Sequence, residues 1–143
     1  MFTNFSGTRL DLSDFDTSKV TTMQYTFYNT ELEELKLNDM SKVKMLRNTF
    51  EFSQNLRSLE AFDATSVTDT YDAFRYVSSL KDFGGLLNLT ASVEFEYCEN
   101  LSYESMLNIL NGLGTVMSKS ITFDQYNVDM LSDDDIAIAT SKG

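Results

Sequence analysis

Histidine is absent from the 143-residue chain. With it go the commonest general base, the usual metal ligand, and every Ser/His or Cys/His nucleophilic arrangement. Cysteine occurs once, at Cys98, so no intrachain disulfide can form and no zinc site can be built from a single thiol. Cys98 reads as a small buried apolar residue. Basic residues are scarce: 11 Lys plus Arg stand against 22 Asp plus Glu, giving a net charge of -11 and a pI near 4.2. A field of that sign repels phosphate and anionic lipid, which argues against nucleic acid and membrane surfaces as partners. No apolar run approaches the ~20 residues a bilayer-spanning helix needs, so no membrane insertion is expected. The opening MFTNFSGTRL lacks the charged-then-apolar order of a signal peptide.

Apolar material is plentiful by contrast, at 42% hydrophobic and 13% aromatic residues, enough for one domain with a continuous core. Its arrangement is periodic. The segments from Leu10, Leu35 and Leu59 align throughout, and Phe83 opens a fourth copy, so the steps are 25, 24 and 24 residues. A Ser/Val signal recurs at Val20, Val43, Val67 and Val93. An aromatic follows the first three valines by seven residues, at Phe27, Phe50 and Phe74, and a leucine closes each unit at Leu32, Leu56, Leu80 and Leu101. A repeat of this length implies one supersecondary unit that buries its apolar face only by stacking on copies of itself.

Within a unit, Leu-x-Leu pieces such as Leu10 with Leu12 place two leucines on one face of a strand. Ser18, Ser41 and Ser66 then stand where N-caps would, and Val20, Met23 and Phe27 follow at helical spacing. The expectation is one short parallel strand and one short helix per unit, with strands about 4.8 Å apart.

LDLSDFDTSKVTTMQYTF resembles the repeat of BspA-like bacterial surface proteins, with units of the form L-x-L-S-x-F-D-T-S-x-V-T-x-M-x-x-M-F. Later copies drift, and FGGLLNLTASVEFEYCENL lacks the aromatic at valine plus seven. The resemblance spans about residues 1–101 and implies an α/β, leucine-rich-repeat-like solenoid of about four repeats, the first partial, acting in adhesion or recognition. MFTNFSG looks like the tail of a preceding unit, with Met1-Phe2 at the helix-end Met-Phe position, so the natural chain or an evolutionary ancestor of it is expected to extend further N-terminal.

Residues 102–143 read as a separate capping module of helix, strand and helix. In LSYESMLNILNGLG, Ser102 is the N-cap and Gly112 and Gly114 can stop the helix; SITF is a short strand; and Ser132 caps a helix whose first turn carries Asp133, Asp134 and Asp135. Lys142 and Gly143 suit that helix's other end. The segment is similar to modules that follow such repeats in predicted phage and prophage proteins of gut Firmicutes.

Clustered carboxylates are the one hint of chemistry. Asp11, Asp14 and Asp16 could offer oxygen to Ca²⁺, but they lack the Gly and terminal Glu of an EF-hand loop and read better as turn formers. No metal, cofactor or catalytic residue is expected, and the chain reads as no enzyme. Tyr25, Tyr28, Phe52, Tyr76 and Tyr97 are the candidate partner-binding surface, since aromatics anchor protein partners and stack on sugars. The resemblance implies a phage virion accessory protein of tail fibre, baseplate or head, attaching to another virion subunit or a host surface protein. The rival is a bacterial cell-surface or secreted adhesin binding host protein or glycan. Self-association into a homo-oligomer is open to either.

Overall fold

The computed structural model describes residues 2–143 and is a mixed α/β fold of short strands and few helices, with no closed barrel among those residues. Met1, and with it the placement expected for Met1, lies outside them. The leucine positions seed the first ladder: β1 (Arg9–Asp11), β2 (Glu34–Lys36), β3 (Ser58–Leu59) and β5 (Asp82–Phe83) form a four-stranded parallel sheet in the order β1-β2-β3-β5. Leu10 lies opposite Leu35, Glu34 opposite Ser58, and Leu59 opposite Phe83. A second ladder joins β4 (Phe62–Asp63) to β6 (Leu86–Leu87), again parallel. Alternation turns Leu35, Leu59 and Phe83 into the core while Glu34, Lys36, Ser58 and Asp82 face water.

The helix expected in each repeat is not formed. The N–H groups of Met23, Tyr25, Phe27 and Asn29 donate instead to the carbonyls of Met45, Arg47, Thr49 and Glu51 one unit on, at 2.9, 3.1, 2.9 and 2.8 Å. Leu46, Asn48, Phe50 and Phe52 repeat this toward Asp69, Tyr71, Ala73 and Arg75. A chain that spends these donors between units has none left for bonds four residues back. Two left-handed residues per unit also interrupt any right-handed helix: Tyr25 and Asn29, then Asn48 and Phe52, then Asp72 and Tyr76. The threonines that crowd this stretch are poor helix formers and serve as cross-links. Thr49 Oγ1 donates to the carbonyls of Leu46 and Met23 (2.7 and 3.0 Å), and Ser53 Oγ donates to that of Phe27 (2.6 Å).

The serines taken as helix N-caps have another task. Asp16, Asp39 and Asp63 close side-chain turns by accepting the N–H groups of Ser18, Ser41 and Thr65 at 3.1, 2.8 and 2.9 Å. Ser66 Oγ donates to the Ser41 carbonyl one unit away, at 2.7 Å. The turn hydroxyls, then the turn amides, hold all three carboxyls below the usual carboxylate range, and Ser13 does the same for Asp11. A carboxyl whose pKa is lower folded than unfolded stabilises the fold above its unfolded value and loses that contribution as pH falls through its folded value. The melting temperature is therefore expected to hold at neutral pH and drop as pH goes from about 5 to about 2.5. Replacing Asp16, Asp39 and Asp63 together by Asn should flatten that drop; an unchanged acid profile in thermal melts would contradict it.

Six phenylalanines stack into the central spine. Phe2, Phe27, Phe50, Phe74, Phe95 and Phe123 lie ring on ring, with successive centroids 5.7, 5.6, 5.3, 4.9 and 5.6 Å apart. The four inner rings are fully buried, while Phe2 and Phe123 at the ends are half-buried. The fourth unit, without an aromatic seven residues past its valine, reaches the spine through β7 (Val93–Phe95), which places Phe95 only two residues past Val93. Phe2 holds the place that Phe27 holds one unit later: its N–H donates to Thr26, and Asn4 donates to Tyr28, at 2.8 and 2.9 Å.

The C-terminal stretch covers the far end. α1 (Tyr103–Gly112) is capped by Ser102 and buries Met106, Ile109 and Leu110. Ser105 Oγ accepts the Phe83 N–H and donates to the Lys81 carbonyl, each at 2.8 Å, which satisfies polar groups at the outer edge of β5. β8 (Ile121–Phe123) pairs in parallel with β7, opposing Phe123 to Phe95. Two further helices follow. α2 (Gln125–Val128) begins at Asp124, and α3 (Asp133–Thr140) opens on a capping box between Ser132 and Asp135. Lys142, expected to favour the end of α3, instead donates its ammonium to the carbonyls of Asn111 and Leu113 at 2.5 and 2.8 Å, the C-terminal end of α1. No helix of the described residues is long and apolar enough to cross a membrane.

Candidate binding face

The unit-to-unit register that builds the phenylalanine spine builds a second ladder two residues further along. Phe2-Thr3-Asn4, Phe27-Tyr28-Asn29, Phe50-Glu51-Phe52, Phe74-Arg75-Tyr76 and Phe95-Glu96-Tyr97 present Asn4, Asn29, Phe52, Tyr76 and Tyr97 at one position of successive units. All five adopt left-handed backbone, with φ of 58°, 51°, 63°, 58° and 61°. Asn tolerates that conformation; a bulky aromatic does so at a cost. Asn29 Nδ2 donates to Asn4 Oδ1 at 2.8 Å, so the polar end of the ladder is itself bonded.

All five aromatics singled out from sequence meet here. Tyr25 sets its edge against Tyr28 (5.5 Å, 69°), and Tyr28 against Phe52 (5.7 Å, 84°). Phe52 stacks on Tyr76 (5.0 Å, 9°), and Tyr76 on Tyr97 (4.2 Å, 5°). Tyr25 and Tyr97 are exposed and the other three half-buried, making one continuous stripe from four units. The Arg75 guanidinium lies over the rings of Tyr76 and Tyr97, at 5.0 and 5.9 Å, beside Glu96 at 3.4 Å. The Tyr97 hydroxyl, and then loss of water, push the Tyr76 phenol above its ordinary range. Beyond Phe52, Asn4, Asn29, Glu31, Gln54 and Asn55 border a shallow depression of about 380 Å³.

Sequence reasoning missed the polar half of this face. Asn4, Asn29 and Arg75 carry no local signal, but the recurring Phe-x-(Asn or aromatic) triplet places them once the units are aligned on Phe rather than on Leu. A separate pair was missed too: Arg47 bonds Asp69 at 3.0 Å and lies over the Tyr71 ring at 4.8 Å.

The carboxylates weighed for metal lie elsewhere. Asp11 and Asp16 are engaged by Ser13 and Ser18, and no group of three or more His, Cys, Asp or Glu among the described residues is placed to hold a metal ion. Cys98 is fully buried, its Sγ donating to the Phe74 carbonyl at 3.0 Å as Ser53 does to Phe27. Burial pushes its thiol up to about 12, so it is not a nucleophile at neutral pH.

Residues 1–100 match the model of a family described as "Mycoplasma protein of unknown function, DUF285", a family of BspA-like surface repeats. The chain belongs to that family. The match covers the stripe and every strand through β7, and it marks the chain as a BspA-like, surface-associated repeat protein. Comparison with curated proteins and with solved structures found no match.

Proposed function

We propose that the chain is a leucine-rich-repeat-like solenoid acting as a non-enzymatic binding module of a surface protein, gripping a protein partner through Tyr25, Tyr28, Phe52, Tyr76 and Tyr97. The reading rests on one observation: five aromatics from four different units converge on one stripe. Stability alone gives little reason for them. Each aromatic held at positive φ costs about 1 kcal/mol, and each stacked pair returns about 1 kcal/mol, so Phe52, Tyr76 and Tyr97 gain next to nothing over the Asn found at the same position in the first two units. Strained residues gathered on one surface point to binding.

Ring orientation favours a protein over a glycan. Tyr76 has both faces covered by Phe52 and Tyr97, leaving its edge and hydroxyl for a ligand, whereas sugars stack on open faces. The missing histidine and the sealed thiol support the non-enzymatic part of the reading. A surface-associated family supports display at a bacterial cell surface or in a secreted adhesin. A second reading, attachment within a phage particle, rests on the resemblance of LSYESMLNILNGL and LSDDDIAIATSKG to phage modules; mass spectrometry of purified particles separates the two.

The test is binding of the chain to immobilised host extracellular proteins and to a glycan array. Replacing Tyr76 and Tyr97 together by Ser should weaken protein binding by roughly 30-fold or more, as loss of a central aromatic anchor does. Tyr103→Ser, an exposed tyrosine on α1, should leave it unchanged. Equal binding by all three proteins would remove the stripe from the function.

A further inference from the structure

An exposed ring stands apart from the stripe, in the middle units of the stack. Tyr71 is 57% exposed and packs on no other ring among the described residues. The fold does not need an aromatic there. The N–H groups of Tyr25 and Asn48 donate to the carbonyls of Arg47 and Tyr71, so Gln24, Arg47 and Tyr71 hold one place in successive units, and the first two are polar. What is built is the support behind the ring. The Arg47 guanidinium covers one face at 4.8 Å. Asp69 fixes both members, its Oδ2 accepting from Arg47 Nε at 3.0 Å and its Oδ1 from the Tyr71 N–H at 3.1 Å. A ring capped on one face and still more than half exposed has its other face open.

Tyr71 borders a depression of about 250 Å³ whose rim carries Ser92, Glu94 and Lys119. Ser92 Oγ accepts the Ser120 N–H at 3.1 Å, which leaves its hydroxyl hydrogen free to donate. Glu94 and Lys119 are exposed and form no ion pair among the described residues. We propose that this is a binding site for a neutral hexopyranose. Such a sugar has an apolar face of C–H groups and an edge of hydroxyls. The C–H face, slightly positive, lies on the open, negative face of Tyr71, while the hydroxyls meet a carboxylate acceptor, an ammonium donor and a serine donor. Arg47 and Asp69 hold the ring in place before the sugar arrives, so little ordering is lost on binding. The carboxylate and the ammonium at the rim balance one another, and the net charge of -11 repels sugar acids, so the class is neutral. The stripe offers no such place at its centre, where Tyr76 has both faces covered.

Saturation-transfer NMR and shift titrations with the methyl glycosides of glucose, galactose, mannose and N-acetylglucosamine test the site. At least one of them should bind with a Kd on the order of 1 mM, take up saturation at its ring C–H protons and shift the Tyr71 ring signals. Tyr71→Ala should weaken it by roughly tenfold or more, whereas Tyr71→Phe, which keeps the ring, should retain it. Replacing Tyr76 and Tyr97 together by Ser should leave sugar binding unchanged, which separates this site from the stripe. Thermal melts confirm that Tyr71→Ala is folded, as expected for a ring more than half in water. Silence with all four glycosides well above that constant, undiminished binding by Tyr71→Ala, or a response confined to the methyl glycoside of a sugar acid overturns the proposal.

Discussion

Phe74→Ala is expected to destabilise the fold by about 3–5 kcal/mol, a large part of the ~5–15 kcal/mol that holds a typical domain together. The ring is fully buried and packs against three others, Phe50, Phe83 and Phe95 at 5.3, 5.4 and 4.9 Å, and the Cys98 thiol bonds its carbonyl. Removing it opens a cavity between two units whose backbones are fixed by hydrogen bonds, so the site cannot collapse to fill it. Phe2→Ala and Phe123→Ala truncate rings that are only half-buried and should cost about 1–2 kcal/mol. Urea denaturation of the three variants checks the ranking. Equal losses at the middle and the ends would mean that the rings do not form one spine.

Gly85→Ala is expected to cost about 2–4 kcal/mol and to loosen α1 in particular. Gly85 has φ +99°, and a Cβ there would sit 2.7 Å from the Asn108 carbonyl oxygen and 3.0 Å from its carbon. Both the strained backbone and the clash with helix backbone act in the same direction, and α1 cannot yield without freeing Ser105 from Phe83. Amide exchange should accelerate at Phe83 and along α1. Gly7→Ala is the comparison: its new Cβ meets only the Phe5 ring, which is half-exposed and can turn aside, so less than about 1 kcal/mol is expected. Parity between the two glycine variants would contradict the tight docking of α1.

The repeat and its parallel strands were legible because identical leucines recur at 24- to 25-residue steps and because the strand period of two is short enough to read from Leu10 and Leu12. The C-terminal helices were legible from their caps, Ser102 and Ser132. What failed was the middle of each unit. Val20, Met23 and Phe27 fall at helical spacing, yet that spacing is also what a tightly turning chain produces when every inward residue must reach a common core. Nothing local distinguishes a donor bonded four residues back from one bonded to the next unit; the distinction is long-range. The left-handed residues could have served as a warning, because Asn29 and Asn48 stand where a helix would want neither. Of the candidate face, the aromatic members were readable by type. Their convergence was not, since the steps between spine phenylalanines vary from 21 to 28 residues and the fourth unit reaches the spine by a strand that the valine register does not foresee.

One spectrum tests the stacking most directly: nuclear Overhauser contacts between aromatic rings in a sample labelled at phenylalanine and tyrosine. Contacts should run in the order Phe2, Phe27, Phe50, Phe74, Phe95 and Phe123 within the core, and Tyr28, Phe52, Tyr76 and Tyr97 along the stripe. Strong sequential amide contacts of helical type through residues 22–29, with no ring contact between Phe27 and Phe50, would contradict the stack and take the candidate face with it.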